Sequence, residues 1–291
     1  MNKILQTRRQ LLQTIAFTGI AGVALGKFPG IAYAADGATL KIQFERELDS
    51  LDPGYFVGGS PPCDVNWALM PALVHYGRDG GWIPSPHVDS IVARDATHID
   101  FTLRKGMMWT NGFGEVTTED VAYSYDREAV SEWKGDYVAY DHVEIKDKYS
   151  GTIVLNQPFA PFMNTTLASG TGIIICKKAV EAAGGKFTTE QPASCGPYLI
   201  SEHRPGQVLK LRSNPEWNGA KPAYENIDCL FVTESSAAAL AYEAGELDIA
   251  KVSADTYARY LKDIPAKSSL TVAGALQYMW MGMNTDHPKL K

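Results

Sequence analysis

The sequence predicts an α/β fold, because strand and helix patterns alternate along the chain. Residues 227–232 have the composition of a strand, 235–244 form an alanine-rich helical pattern, and 247–252 have the composition of a second strand. A strand, a helix and a strand within about 25 residues form a βαβ unit, whose strands run parallel. Alternation over 39–44 predicts a further strand, and an amphipathic pattern over 117–130 predicts a helix. Part of the sheet is therefore expected to be parallel.

The elements near the start of this pattern are predicted from local sequence. In 39–44 the apolar residues share one face of a half-buried strand. A turn-rich loop over 51–62 follows, with three prolines and three glycines around an aromatic pair. A short helical pattern starts at Asp64 and is expected to end at Pro71, because proline cannot continue the backbone hydrogen bonds of a helix.

Two further elements precede the βαβ unit. Alternating apolar residues predict a strand over 97–103. Thr117 and Asp120 have the spacing of a capping box at the start of the helix over 117–130. Its acids crowd the first turn, where they complement the helix dipole, so we interpret it as an amphipathic surface helix and not as a source of catalytic acids.

The first 34 residues have the order of a cleavable export signal. A basic start precedes a mildly apolar run over 11–25, and a small-x-small site ends at Ala34. The run is too short and too polar to span ~30 Å of hydrocarbon. We expect cleavage between Ala34 and Ala35. No cysteine follows that site, so the mature protein is expected to be periplasmic, soluble and without a lipid anchor.

An arginine pair defines the type of signal. Arg8 and Arg9 stand directly before the apolar run, which resembles the twin-arginine signal of bacteria. The twin-arginine translocon, which exports folded proteins, is therefore an expected partner. An ordinary secretory signal with a chance arginine pair is the alternative.

Charge and hydropathy exclude two classes of protein. Removing the signal takes away four of the 27 basic residues and no acid, which leaves 23 basic residues against 33 acidic ones and a net charge of −10. Such an acidic surface argues against a nucleic-acid partner and for a self-repelling monomer. No apolar run of about 18 residues follows the signal, so a membrane-spanning domain is not expected.

Four cysteines remain after processing, at Cys63, Cys176, Cys195 and Cys229. An oxidising compartment permits disulfides, and four cysteines allow three pairings between which the sequence does not choose. Buried free thiols are an equal alternative. The cysteines lack CxxC spacing, so a zinc site is not expected.

No motif for catalysis or metal binding is present. The six histidines are scattered without i, i+4 spacing, and GxSxG and GxxxxGK[ST] motifs are absent. Gly170-Thr171-Gly172 resembles the start of a dinucleotide fingerprint, but the three isoleucines that follow favour a strand where the fingerprint requires a helix. We therefore expect neither an enzyme nor a bound cofactor or metal.

Aromatic residues and glycines in predicted loops are instead the candidates for ligand contacts, because loops held by an α/β frame usually carry small-ligand sites. They lie in the first long loop, in the glycine pair around Thr171, in the Cys195-Gly196 turn and near the end of the chain. The predicted ligand contacts are Tyr55, Phe56, Val57, Thr171, Gly172, Cys195, Gly196 and Trp280.

A series of short motifs in a fixed order resembles one known family. They are Leu51-Asp52-Pro53, Leu73-Val74, Phe101 to Gly106, Trp109 to Gly112, Thr118 to Val121, Pro158 to Phe162, Gly196-Pro197-Tyr198, Asn214 to Trp217, Gly245 to Asp248 and Met283-Asn284. Their order and spacing resemble the family 5 extracellular solute-binding proteins, which comprise the dipeptide, oligopeptide and nickel binding proteins of ABC importers. One departure is Ser194-Cys195-Gly196, where the family usually has Gly-Thr-Gly.

The resemblance implies a fold and a division into domains. It implies one lobe of the type II periplasmic-binding-protein fold, with a mixed sheet and an inserted smaller subdomain. Residues 35–74 and 166–284 would form the sheet-bearing part, 75–165 the inserted subdomain, and 285–291 the start of a crossing to a second lobe. Family members are usually longer, so we expect this chain to be an N-terminal portion that lacks the second lobe.

The resemblance also implies a function. It implies the binding component of an ABC importer, which captures a small-molecule or peptide ligand, expected to be a di- or oligopeptide, between two lobes and delivers it to a permease in the membrane. The alternative is a periplasmic enzyme, exported folded, with an unrecognised cofactor site, because twin-arginine export often serves cofactor proteins.

Overall fold

The computed structural model describes residues 37–57, 61–77 and 79–272 together with Asp286 and Lys289. The predicted export signal, with Arg8, Arg9, Ala34 and Ala35, lies outside the described residues. Within them the strands are, in chain order, β1 (Thr39–Phe44), β2 (Val74–Tyr76), β3 (Trp82–Pro84), β4 (Val88–Ala93), β5 (His98–Leu103), β6 (Met108–Trp109), β7 (Gly114–Glu115), β8 (Tyr140–Ile145), β9 (Ser150–Leu155), β10 (Tyr198–Arg204), β11 (Val208–Ser213) and β12 (Asn226–Phe231).

Short helices connect and cover these strands. The α-helices of the described residues are α1 (Pro62–Leu69), α2 (Thr118–Glu128), α3 (Lys177–Ala182), α4 (Ser235–Glu243) and α5 (Ala254–Tyr260). Tighter or wider single turns occur at Thr110–Gly112, Lys134–Tyr137, Met163–Leu167 and Gly170–Gly172. Across the described part of the chain, no helix combines the length and apolar character needed to cross a membrane.

The first sheet has the spatial order β1-β12-β11-β10. β1 and β12 pair in parallel from Thr39 opposite Asn226 to Phe44 opposite Phe231, and the other neighbours are antiparallel. The sheet is therefore mixed, which confirms the α/β prediction with a partly parallel sheet.

The predicted strand over 247–252 does not form as a strand. Ile249 makes one parallel bridge to Ile42, in which the Gln43 amide donates to the Ile249 carbonyl at 3.0 Å. The Gln43 side chain then accepts from the Lys251 amide at 2.8 Å, so a side chain takes the place of a continued ladder. The chain after α4 does run parallel to β1, as the βαβ prediction requires. The predicted strand over 247–252 was wrong, because only this single bridge forms.

The core of the first sheet forms between its strands, α1 and α3. Pro62 occupies the first turn of α1, where a missing amide hydrogen costs nothing, so the helix starts two residues before the predicted Asp64. It ends at Leu69, two residues before Pro71. The buried apolar residues of this core include Phe44, Leu51, Val65, Leu69, Ile173, Ile175, Tyr198, Leu209, Leu211 and Cys229.

A second sheet has the order β4-β5-β9-β8 and is antiparallel throughout. The helix α2 packs against β8 and starts with the predicted capping box, in which the Thr117 amide donates to the Asp120 carboxylate at 2.9 Å. Its core includes Ile99, Phe101, Leu103, Trp109, Val121, Tyr125, Ile153 and Leu167. The described strands of this sheet do not pair with those of the first. Domain boundaries at 75 and 165 stay a prediction.

One extended segment lies between the two cores. Ile173 and Ile175 belong to the core of the first sheet and Ile174 to that of the second. Alternate side chains of an extended segment point in opposite directions, so a segment buried on both sides is apolar throughout. Ile173 makes only an isolated bridge to Ala72.

All four cysteines are buried free thiols. Burial raises the pKa of the Cys176 thiol to about 11 and that of Cys229 to about 12. The sequence left both disulfides and buried free thiols open. The structure contains free thiols, which pack as small apolar side chains.

Candidate functional site

A pocket of about 250 Å³ lies where the loop after β1, α1, the end of β2 and two turns at 134–137 and 170–172 meet. Four of the residues that line it are aromatic, two are carboxylates, and none of these described lining residues is basic. The pocket is lined by Phe56, Cys63, Asp64, Trp67, Tyr76, Trp133, Asp136, Ser169, Gly170 and Thr171.

Larger hollows elsewhere are less suited to a specific ligand. One of about 730 Å³ lies along residues 242–272, one of about 740 Å³ lies beside the Gln191 and Glu216 side chains, and one of about 700 Å³ lies between the lysines and acids near α3. Their walls mix charged, polar and apolar side chains. The aromatic pocket is smaller, but it contains two of the predicted ligand contacts.

The loop that carries Phe56 is fixed by a buried carboxylate. Asp52 is fully buried and accepts from both terminal nitrogens of Arg127, at 2.7 and 2.6 Å. It also accepts from the amides of Gly54 and Phe187, each at 3.2 Å. Four hydrogen bonds to one carboxylate therefore hold the start of the loop against α2.

Tyr55 and Val57 flank Phe56 but do not line the pocket. The Arg127 guanidinium lies 5.0 Å and the Lys186 ammonium 3.5 Å from the Tyr55 ring centre, so cations already cover that ring. Val57 is 69% exposed, and its carbonyl accepts from Arg46. That Tyr55 and Val57 contact a ligand stays a prediction.

Two aromatic pairs form the walls of the pocket. The Phe56 and Trp133 rings lie 5.4 Å apart, and the Trp133 indole donates to the Phe56 carbonyl at 3.2 Å. Trp67 and Tyr76 meet edge to face at 6.1 Å, and the Tyr76 hydroxyl donates to the Asn164 carbonyl at 2.8 Å. These hydrogen bonds hold Trp133 and Tyr76 in place without a ligand.

A tight turn forms the floor of the pocket. Thr171 is buried, and its carbonyl accepts from the Tyr137 hydroxyl at 2.8 Å. A Cβ atom on Gly170 would lie 2.2 Å from the Cys63 sulfur and 2.9 Å from the Phe56 ring, so only glycine permits this approach. Gly172 lies below the floor, where a Cβ would come within 2.0 Å of the Leu167 carbonyl oxygen.

Two carboxylates lie at this pocket. Asp64 is in the first turn of α1 and is exposed. Asp136 is partly buried, its carbonyl accepts from the Thr166 hydroxyl at 2.7 Å, and burial raises the pKa of its carboxyl group, while a hydrogen bond from Thr171 lowers it. Burial likewise raises the pKa of Tyr76, and the charge of Asp136 adds to that effect.

The Cys195-Gly196 turn lies in the packed interior. Both amides donate to the Leu69 carbonyl, at 3.0 and 2.8 Å, and a Cβ on Gly196 would lie 2.6 Å from the Ala68 carbonyl oxygen. Burial raises the pKa of the Cys195 thiol well above its ordinary value. The structure thus brings Phe56 and Thr171 together at the pocket, whereas Cys195, Gly196 and Gly172 are buried and do not line it. Trp280 lies outside the described residues.

Most of the lining residues were not among the predicted ligand contacts, including Trp67, Tyr76, Trp133 and Asp136. Trp67 lies within the helical pattern of α1, and that pattern gives no sign of a ligand contact. Trp133 and Asp136 stand in Glu132-Trp133-Lys134-Gly135-Asp136, where an aromatic among charged residues and a glycine was a usable signal. In the described parts of the chain, His, Cys, Asp and Glu side chains do not cluster in threes as metal ligands.

Comparison with known proteins gives a consistent set of likenesses. The sequence profile of the bacterial extracellular solute-binding proteins, family 5 Middle, matches residues 88–291. The chain is 28% identical over 246 residues to the probable D,D-dipeptide-binding periplasmic protein DdpA of Escherichia coli (strain K12), which covers 80% of this chain and 47% of DdpA.

Solved structures extend the likeness to the fold. The chain matches the murein tripeptide binding protein MppA of Escherichia coli with a TM-score of 0.71 and 25% identity, over 81% of this chain and 50% of MppA. It matches MoaA from A. tumefaciens R10, in complex with mannopinic acid, with a TM-score of 0.64 and 27% identity, over 72% of this chain and 44% of MoaA. The predicted fold class is confirmed. The chain spans about half the length of the curated relatives it matches.

Proposed function

This chain belongs to the bacterial extracellular solute-binding proteins of family 5, as its motifs predicted, and from that premise we propose that it captures a small solute, a di- or oligopeptide, for an ABC permease. The single observation that carries the proposal is a preformed aromatic pocket, lined by Phe56, Trp67, Tyr76 and Trp133, in a chain of this family. Rigid aromatic walls with a few polar groups are typical of small-ligand sites.

The proposed mechanism is closure of two lobes on the solute. We propose that this chain supplies one lobe, with residues 35–74 and 166–284 as its sheet-bearing part, 75–165 as an inserted subdomain and 285–291 as the start of the crossing. A ligand that contacts both lobes stabilises the closed form in proportion to its differential affinity for that form. The closed form is then the one that a permease would recognise. No bond is broken in the cycle.

Export belongs to the same proposal. We propose that residues 1–34 direct the protein to the twin-arginine translocon and are removed at Ala34, so that the mature protein acts in the periplasm as a soluble monomer without a lipid anchor. The relatives support this location: DdpA is described as a periplasmic protein and the family as extracellular. The arginine pair and the cleavage site support it from the sequence.

The test is ligand-dependent thermal stabilisation of the mature protein that includes the second lobe. Wild type is screened against di- and tripeptides, and ligands that raise the melting temperature are measured by calorimetry. Trp133→Ala should weaken binding by about a hundredfold or more, because a buried aromatic contact is lost. Trp82→Ala is the matched control, because Trp82 lies on β3 outside the pocket.

Two outcomes would contradict the proposal. Equal binding by Trp133→Ala and Trp82→Ala would show that the ligand does not use this pocket. Chemical conversion of a bound peptide would instead favour the alternative of an exported enzyme.

A further inference from the structure

We propose that Tyr137 is a positioning residue for ligand binding: it does not line the aromatic pocket, but its hydroxyl joins the floor of the pocket to the wall that carries Trp133. This inference rests on the proposed function, since it names a residue on which binding at that site depends. It follows from the hydrogen bond that Tyr137 makes, from its place beside the wall, and from the rigidity that the bond gives to the empty pocket.

The hydroxyl of Tyr137 is bonded to the floor. Tyr137 is 3% exposed, and its hydroxyl donates to the Thr171 carbonyl at 2.8 Å. Thr171 and Gly170 belong to the floor turn and line the pocket, whereas Tyr137 is not one of the lining residues. Thr171 is buried, and removing the donor from a buried carbonyl costs free energy because water does not replace the bond. Tyr137 therefore acts on the pocket through Thr171.

The backbone of Tyr137 belongs to the wall. It ends the single turn Lys134–Tyr137, which follows Trp133 directly and contains Asp136. Trp133 and Asp136 both line the pocket. The backbone of Tyr137 is thus fixed close to the wall while its hydroxyl holds the floor. One side chain therefore joins two segments that lie 34 residues apart in the chain.

A second hydrogen bond joins the same two segments. The Thr166 hydroxyl donates to the Asp136 carbonyl at 2.7 Å. Thr166 is in turn tied to the floor, because its carbonyl accepts from the Ser169 hydroxyl at 2.8 Å and the Ser169 and Thr171 hydroxyl oxygens lie 2.7 Å apart. The bonds from Tyr137 and Thr166 together set the distance between wall and floor before a ligand binds.

The consequence for binding is preorganisation of the pocket. A protein whose binding-competent form is only partly populated binds its ligand with an affinity reduced by that fraction. Loss of the Tyr137 hydroxyl lets the floor move away from the wall in the free protein, so part of the binding free energy is used to restore the pocket. The affinity should fall by a common factor for every ligand that fills the pocket, because that factor is a property of the protein.

Tyr140 supplies the matched control. It is 6% exposed and packs in the same aromatic cluster, with its ring centre 5.6 Å from that of Tyr137. Its hydroxyl also donates one short hydrogen bond, at 2.6 Å, but to the Asp126 carboxylate. Neither Tyr140 nor Asp126 lines the pocket. Replacement by phenylalanine therefore removes one hydroxyl from the cluster in both cases, and only at Tyr137 does it release the floor.

The experiment compares Tyr137→Phe with Tyr140→Phe in the mature protein that includes the second lobe. The probes are dialanine, trialanine and alanine tripeptides with a central phenylalanine or lysine, measured by calorimetry at a temperature where both variants are folded. We expect Tyr137→Phe to bind each peptide that wild type binds about threefold to tenfold more weakly, the range of one hydrogen bond, and by a common factor. Tyr140→Phe should bind as wild type does, although both variants should melt at a lower temperature.

A second variant tests the same joint between wall and floor. Thr166→Val removes the other hydrogen bond and keeps a β-branched side chain at this buried position. It should weaken binding of the same peptides by a similar common factor. It replaces Tyr137→Phe in the comparison if that protein does not fold, and unchanged affinity in Thr166→Val would then overturn the inference.

Failure of this inference and failure of the proposed function give different results. Wild-type affinity in Tyr137→Phe, together with weakened binding in Trp133→Ala, would overturn the positioning role and leave peptide capture at this pocket intact. Equal losses of affinity in Tyr137→Phe and Tyr140→Phe would assign the effect to general loosening of the aromatic cluster and also overturn it. A loss that differs strongly between peptides would show that Tyr137 contacts the ligand, which would overturn a role exercised through Thr171. Absence of peptide binding by wild type would overturn the proposed capture and this inference together.

Discussion

At the scale of single residues, one buried carboxylate determines the position of the loop beside the pocket. Asp52 belongs to the Leu51-Asp52-Pro53 motif, and its four hydrogen bonds come from three separate segments: the loop itself, α2 and the chain near Phe187. The motif carries no ligand chemistry of its own. Its role in the structure is to hold Phe56 against Trp133.

Removal of Arg127, the cation paired with Asp52, is expected to destabilise the fold strongly. Arg127→Ala leaves the Asp52 carboxylate buried without its partner, which typically costs about 3–5 kcal/mol. Arg259→Ala, which breaks an exposed pair with Glu243, should cost less than about 1 kcal/mol. Urea unfolding of the two variants measures the difference. Similar losses for both would show that the buried pair has no special role.

A second prediction at this scale concerns the floor of the pocket. Gly170→Ala places a methyl group 2.2 Å from the Cys63 sulfur, so Cys63 and Phe56 must move and the pocket must narrow. We expect weaker ligand binding and a lower melting temperature. Gly135→Ala is the control, because a Cβ there meets nothing within 4 Å. A Gly170→Ala protein that binds as wild type does would show that the floor is not as rigid as its contacts indicate.

At the scale of elements, the C-terminal end of α2 contains a pH-sensitive group. Glu128 is fully buried, accepts from the Ser131 hydroxyl at 3.0 Å, and burial raises its pKa to about 8 from an ordinary 4.5. The folded protein therefore binds this proton more tightly than the unfolded chain does. The resulting stability is present in full below about pH 4.5 and is lost as the pH rises through about 8.

We expect the free energy of unfolding to change with pH at a different slope in wild type and in Glu128→Gln. Between about pH 5 and pH 8 the free energy of unfolding of wild type should fall relative to that of the variant, by up to about 1.4 kcal/mol per pH unit. Urea unfolding across this range gives the measurement. Parallel curves for the two proteins would show that Glu128 is ionised in the folded state throughout.

Element boundaries show where local sequence rules sufficed. The β1 bounds and the capping box of α2 match their predictions, because alternation and caps act over a few residues. The 247–252 strand failed because its ladder with β1 stops after one bridge, between Ile249 and Ile42, and the Gln43 side chain then bonds the Lys251 amide. No local pattern of the sequence encodes where that pairing stops.

At the scale of the whole molecule, the proposed export can be tested without a ligand. Replacing Arg8 and Arg9 together with lysine should leave the protein uncleaved and inside the cell, because the translocon recognises the arginine pair itself. Lys3→Arg with Lys27→Arg is the control, since it preserves charge in the same segment. Fractionation with N-terminal sequencing gives the readout. Normal export of the lysine pair would favour an ordinary secretory signal.

The proposed closure of two lobes can be tested at the same scale. Residues 35–291 on their own should bind a peptide ligand at least about a hundredfold more weakly than a protein that also carries the second lobe, because contacts from one side and the exclusion of water are lost. Calorimetry with one peptide on both proteins tests this. Equal affinity would place the whole site within the present chain.

The sequence by itself determined the α/β class and the family, and two of its predicted ligand contacts, Phe56 and Thr171, line the pocket. These rest on local periodicity, motif order and turn chemistry, all of which act between residues close in the chain. Only the tertiary structure decided that Cys195 and Gly196 are buried away from the pocket lining and that Trp67, Tyr76, Trp133 and Asp136 line the pocket with Phe56. The physical reason is that the pocket joins segments as far apart in the chain as Phe56 and Thr171. The packing that brings these segments together leaves no trace in the periodicity of any one of them.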